Sequence, residues 1–148
     1  MDTDELHARE AIRETIAQYA WNADAGRFDA LAELFTPDGV LEIDGEPVVT
    51  GRAAIREYLH DVGRHLGAHS MASLIRHHTS NVTIELRDAT SADAQCYFLV
   101  VTEAGVDHWG RYRDRLVAHG DAWRFAHRQV RTDGVTPGGW ADRRRQSA

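Results

Sequence analysis

The chain has 148 residues, enough for one domain with a substantial core and too few for two ordinary ones. Its formal charge of −6 gives no support to nucleic-acid binding, and because all 17 basic residues are Arg, Schiff-base chemistry through a lysine amine is excluded. Cys96 is the single cysteine, so an intrachain disulfide and a Cys-rich metal site are excluded too; within "CYFLVV" it reads as core.

Apolar Leu6, Ile12, Ile16 and Tyr19 recur at helical spacing between Asp4 and about Asp24, which predicts an amphipathic helix stopped near Gly26. "RFDALAELF" reads as a short second helix closed by the turn "TPDG". "VLEID" and "VVT" around "GEP" predict a small hairpin, and "RAAIREYLHDVGRHLG" a third helix with Ala54, Ile55, Tyr58, Leu59 and Val62 as its apolar stripe. After "AHSMAS" the period changes, and four long strands are expected at about 74–87, 93–103, 106–118 and 122–132. Helices followed by hairpin-linked strands define an α+β fold with one sheet face covered by helices. One domain is expected over residues 1–133, with a Gly-rich, then basic tail at 134–148 that is either disordered or folded over a pocket through Trp140.

The N-terminal "MDTDELHARE" is too charged for a signal peptide, and no apolar run approaches the ~18 residues of a membrane span, so no membrane partner and a cytoplasmic location are expected. A curved sheet with helices on its concave face would leave a pocket for a small molecule. Among the nine histidines, His60, His65 and His69 have helical spacing but lack an H-E-x-x-H arrangement, so a solvated surface pair and no metal are expected. No phosphate loop or nucleophile elbow is present in the sequence.

Asp24 falls at the helix end, where exposed carbonyls disfavour a negative charge; it is either solvated or paired with a donor. Tyr19 lies on the apolar stripe, which buries its ring and obliges its hydroxyl to find a partner. In "RHHTSN" the two histidines of a strand must face opposite ways. Alternation from Val82, Ile84 and Leu86 sends His78 inward, whereas a single bulge between His77 and Val82 sends His77 inward instead. In the last strand Arg128 is either a surface charge or, if inward, a cation that needs an anion to meet it.

The stretches "AIRETIAQYAWNADAGRFDALAELFTPDG", "GRAAIREYL", "RHHTSN" and "GRYRDRLVAHGDAWRFAHRQV" resemble the SnoaL-like branch of the nuclear transport factor 2-like superfamily over about residues 5 to 133. Within it the chain looks most like the scytalone dehydratase, hexachlorocyclohexane dehydrochlorinase and bile-acid 7α-dehydratase group. The resemblance implies a cone-shaped, curved antiparallel or mixed sheet around three N-terminal helices. It also implies a helix-end Asp, matched by Asp24, and a strand His four residues before an Asn, which with Asn81 as anchor selects His77. A polar pocket residue five before the Asp falls on Tyr19, and an Arg five after the last-strand Trp123 falls on Arg128. The ketosteroid isomerase Asp meets Ile43 here and reaches Asp44 only with a shift.

The implied function is a cofactor-independent lyase, of dehydratase or dehydrohalogenase type, on a small apolar cyclic substrate. His77 would be the base, Asp24 its partner, Tyr19 a hydrogen-bond donor and Arg128 the anion stabiliser. Trp109, Tyr112, Tyr58 and His78 are the candidates for contact with substrate. An isomerase or polyketide cyclase could use the same pocket, and an Asp24 to His77 separation far beyond ~3 Å would favour a non-catalytic binding protein. A homo-oligomer, dimer or trimer, is expected from exposed sheet surface.

Overall fold

In the computed structural model, which describes residues 1–68 and 74–147, the chain begins with α1 (Thr3–Asp24), capped by the Asp2 side chain, which accepts from the Glu5 amide at 2.8 Å. The order continues α2 (Phe28–Ala32), β1 (Phe35–Ile43), β2 (Val49–Thr50), α3 (Arg52–Ala68), β3 (Ile75–Leu86), β4 (Ser91–Thr102), β5 (Gly105–His119), β6 (Ala122–Val135) and α4 (Trp140–Gln146). The second helix is shorter than its sequence pattern, because Phe35 already opens β1. "TPDG" lies inside that strand as an irregularity, with no ladder partner recorded from Thr36 to Gly39. Pro37, which has no amide hydrogen to give a ladder, fits there.

One six-stranded sheet has the order β2-β1-β6-β5-β4-β3. β1 runs parallel to β6 and every other pair is antiparallel, so the sheet is mixed. Register shifts interrupt the β3/β4, β4/β5 and β5/β6 ladders, and each extra residue bends its strand and strengthens the local twist. The curved sheet closes round the helices: Ile12, Ile16 and Tyr19 of α1, Leu31 of α2 and Ile55 of α3 join Phe98, Tyr112, Leu116 and Phe125 of the sheet in one buried cluster.

β3 is an edge strand, and α1 lies along its open side. Arg9 Nη1 donates to the Ile84 carbonyl at 2.7 Å, and the His77 amide donates to Asp24 Oδ2 at 3.0 Å. The two elements match in length: fifteen helical residues from Arg9 to Asp24 rise about 22 Å, and seven strand residues from Ile84 back to His77 span about 23 Å. Side chains from the helix thus occupy backbone groups that an uncovered edge would offer to another strand.

The β3 bulge falls at Asn81. Ser80 pairs with Tyr97 and Thr83 with Gln95, so Asn81 and Val82 share the width opposite Cys96. Asn81 has φ of 57°, a left-handed conformation that Asn tolerates better than other non-glycine residues. Asn81→Val is expected to destabilise the fold by about 1–3 kcal/mol, since a β-branched residue resists that φ, while Asn81→Gly should be nearly neutral. Thermal unfolding of the two variants checks this; equal melting temperatures would remove the bulge from the account.

Candidate active site

The bulge decides which histidine faces inward. Ile75, His77 and Thr79 point to the core side before it, and Val82, Ile84 and Leu86 after it, while His78 is exposed on the outer face opposite Leu99. His78 therefore lies away from the cavity, a correction to its candidacy as a substrate contact. His77 Nδ1 stands 2.6 Å from Asp24 Oδ1, with the two side chains 17% and 11% exposed. The same carboxylate accepts from the His77 main-chain amide. These donors compensate the negative charge at the C-terminal end of α1, where the helix dipole opposes it.

His77 lines a cavity of about 570 Å³ between helices and sheet. Its walls include Leu31, Leu59, Phe98 and Val130, and the hydroxyl-bearing Tyr19, Tyr58 and Tyr112 also reach it. Burial pushes Tyr58 up to about 12. Burial likewise raises Tyr19, with Arg128 pulling the other way. Tyr112 rises for the same reason of burial and stacks on Phe98 with ring centres 4.7 Å apart. At neutral pH all three phenols keep their protons and remain potential donors.

Arg128 requires a correction. It is fully buried but does not line the cavity; Asp114 takes its Nε at 2.8 Å and its Nη2 at 2.7 Å in a two-pronged ion pair. Its guanidinium carbon lies 4.2 Å from the Tyr19 ring centre, 4.0 Å from that of Tyr112 and 4.2 Å from that of Phe125. A register shift after Phe125 turns Arg128 to the same side as that phenylalanine. The cation is thus neutralised beneath the aromatic floor and is not presented to a developing anion. Asp114, the anion it needs, escaped the sequence reading because "RYRDRLV" looks like an exposed charged run.

Trp109 is corrected as well: it is 40% exposed on the outer face, packed over Gly134, and absent from the cavity wall. A shift between Val100 and Val101 accommodates Asp107 as an extra residue just ahead of His108, and the inward side chains of β5 are His108, Tyr112, Asp114 and Leu116. His108 lines the cavity with its Nδ1 2.7 Å from the buried Asp107. Unbroken alternation back from Leu116 through Asp114 and Tyr112 sets His108 inward and Trp109 outward, so the strand period carried a signal for His108; the extra residue at Asp107 precedes both and leaves their parity unchanged.

The tail is ordered as α4, whose Trp140, Ala141, Arg144 and Arg145 form part of the cavity wall. Arg144 ties it down by donating to Glu46 Oε1 at 3.1 Å. An acidic Asp142 in the first turn and Arg143 to Arg145 in the last complement the helix dipole, a signal that "GGWADRRR" carried. His65 is exposed as expected, and His69 lies outside the described residues. No group of metal-ligating side chains is found among the described residues, and no helix there is long and apolar enough to cross a membrane.

A curved α+β sheet folded over helices, with a His and an Asp in contact at one wall of the cavity between them, is the architecture of a nuclear transport factor 2-like scaffold. The chain belongs to the SnoaL-like domain family, whose model matches residues 4–129. A structure from Novosphingobium aromaticivorans, provisionally named a scytalone dehydratase, is 26% identical with a TM-score of 0.80, over 92% of this chain and 91% of that one. An NTF2-like protein with a cystatin-like fold from the same organism is 28% identical, with a TM-score of 0.74 over 94% and 88%. Rv3472 from Mycobacterium tuberculosis, described as of unknown function, is 30% identical with a TM-score of 0.73 over 85% and 72%. Comparison with curated proteins found no match.

Proposed function

We propose that the protein is a cofactor-independent lyase, of dehydratase or dehydrohalogenase type, acting on a small, largely apolar cyclic substrate. One observation carries the reading: His77 Nδ1 contacts Asp24 Oδ1 at 2.6 Å while its ring lines an apolar cavity. An ionised carboxylate only accepts, so it holds the proton on Nδ1 and leaves the Nε2 lone pair free to act as a base. In the proposed step Nε2 takes a proton from carbon, the C–H electron pair becomes the new double bond, and the carbon–leaving-group bond breaks. With a hydroxyl leaving group, the proton on Nε2 departs with it as water; with a halide, it is released separately. Asp24 stabilises the imidazolium that forms, and Tyr19 or Tyr58 donates to an oxygen on the substrate. Apolar walls strengthen these interactions by excluding water.

The scytalone dehydratase name of the Novosphingobium relative supports this reaction class. Another relative, from Catenulispora acidiphila, was solved in complex with S-DNPA at 27% identity and a TM-score of 0.72, which supports use of the cavity by a small molecule. The test is incubation with cyclic β-hydroxy ketones and halogenated cyclohexanes, read by mass spectrometry and halide release. Loss of water or hydrogen halide is the expected result. Products of unchanged mass would replace the lyase by an isomerase or cyclase, and no turnover with tight binding would make the protein a binding module.

A further inference from the structure

We propose that His108 reads a hydroxyl group on the ligand, that Asp107 is its positioning residue, and that α4 is the latch holding the pair in place. The inference deepens the lyase reading and rests on it only in treating the cavity as a substrate site.

Asp107 is 3% exposed, and its carboxylate is shared between the site and the latch. Oδ2 lies 2.7 Å from His108 Nδ1, Oδ1 accepts from the Trp140 amide at 2.6 Å, and Oδ2 accepts from the Ala141 amide at 3.2 Å. The Asp107 carbonyl also accepts from the Thr136 amide at 2.7 Å, so both ends of the residue hold the segment leading into α4. Gly139 is fitted to this seat, because a Cβ there would stand 2.7 Å from Asp107 Oδ1 and 3.0 Å from the Thr136 carbonyl.

The consequence lies on the other side of the imidazole. A carboxylate that only accepts fixes the His108 proton on Nδ1, which makes Nε2 a lone pair. The ring lines the cavity between Phe98 and Trp140, at centroid distances of 5.8 and 5.9 Å, and no described residue is recorded donating to Nε2. Desolvation holds His108 below the ordinary histidine range despite the neighbouring Asp107, with His77 and Arg145 adding in the same direction, so the lone pair persists at neutral pH. A buried acceptor is complemented by a ligand donor, and a ring hydroxyl supplies one where a halogen or an ether does not. This geometry favours hydroxylated over halogenated rings.

The test uses phenol and anisole, which share a ring and differ in the donor, titrated into the full chain and followed by NMR chemical shifts. Phenol is expected to bind about fivefold to tenfold more tightly, the worth of one net hydrogen bond. The preference should disappear in His108→Leu, weaken in Asp107→Asn and Gly139→Ala, and survive in His78→Leu, since the His78 side chain is exposed on the outer face. Nitrogen-15 NMR of the ligand-free protein should show His108 protonated at Nδ1 alone. Equal affinities in the unaltered protein, no binding of either probe, a preference that survives His108→Leu, or a proton on Nε2 would each overturn the proposal. Because the readout is binding without turnover, a protein that discriminates the probes yet eliminates nothing would sink the lyase reading and leave this one standing.

Discussion

His77→Ala is expected to lower turnover by about 10²–10⁴-fold, the usual contribution of a positioned general base. The loss should fall on kcat more than KM, because Nε2 acts on the proton in flight and the apolar walls that hold the ring remain. Asp24→Asn should be nearly as damaging. An amide at that place can donate as well as accept, so it no longer forces the proton onto Nδ1, and the imidazole loses the partner that stabilises its charged form. Since Asp24 also accepts from the His77 amide, circular dichroism must show that the fold persists. His78→Ala is the control: its side chain is exposed on the outer face, and activity should be unchanged. An inactive His78→Ala beside an active His77→Ala would reverse the assignment.

The second large effect concerns stability. Asp114→Ala is expected to destabilise the protein by about 3–5 kcal/mol, because it leaves the Arg128 charge buried without its anion. For a chain of this size that corresponds to a fall in melting temperature on the order of 10 °C. Arg128→Met alone should cost a similar amount by stranding Asp114, whereas Arg128→Met combined with Asp114→Leu should recover most of the loss, since removing both charges also removes their desolvation cost. Thermal and urea unfolding of the three variants checks this. A single variant that loses under ~1 kcal/mol would mean that the pair is far better hydrated than its burial implies.

The long amphipathic patterns were legible in the chain. Ile12, Ile16 and Tyr19 set the inner face of α1, and Ile55 and Leu59 that of α3, because a period of 3.6 survives any later packing. The four long strands and the β1/β2 hairpin are present near their expected bounds. Harder to read were the parallel pairing of β1 with β6, which joins residues far apart in sequence, and α4, whose helical stretch is only one or two turns long. A helix that short has little stability of its own and forms where Asp107 and Glu46 receive it.

Composition excluded nucleic acid and amine chemistry as expectations, and the arrangement of motifs carried the family. Local alternation left His77 and His78 undecided and set Arg128 on the side away from Trp123 and Phe125, while the family resemblance put Arg128 forward as a site residue. Tertiary structure decided the histidines and Arg128 by bulges, since one inserted residue reverses every side chain beyond it. Asn81 turns His77 onto Asp24, and the shift after Phe125 carries Arg128 to Asp114, whereas His108 and Trp109 follow the regular alternation of β5. Such insertions cost little locally and are repaid only by contacts from distant parts of the chain, which is why sequence period alone could not place them.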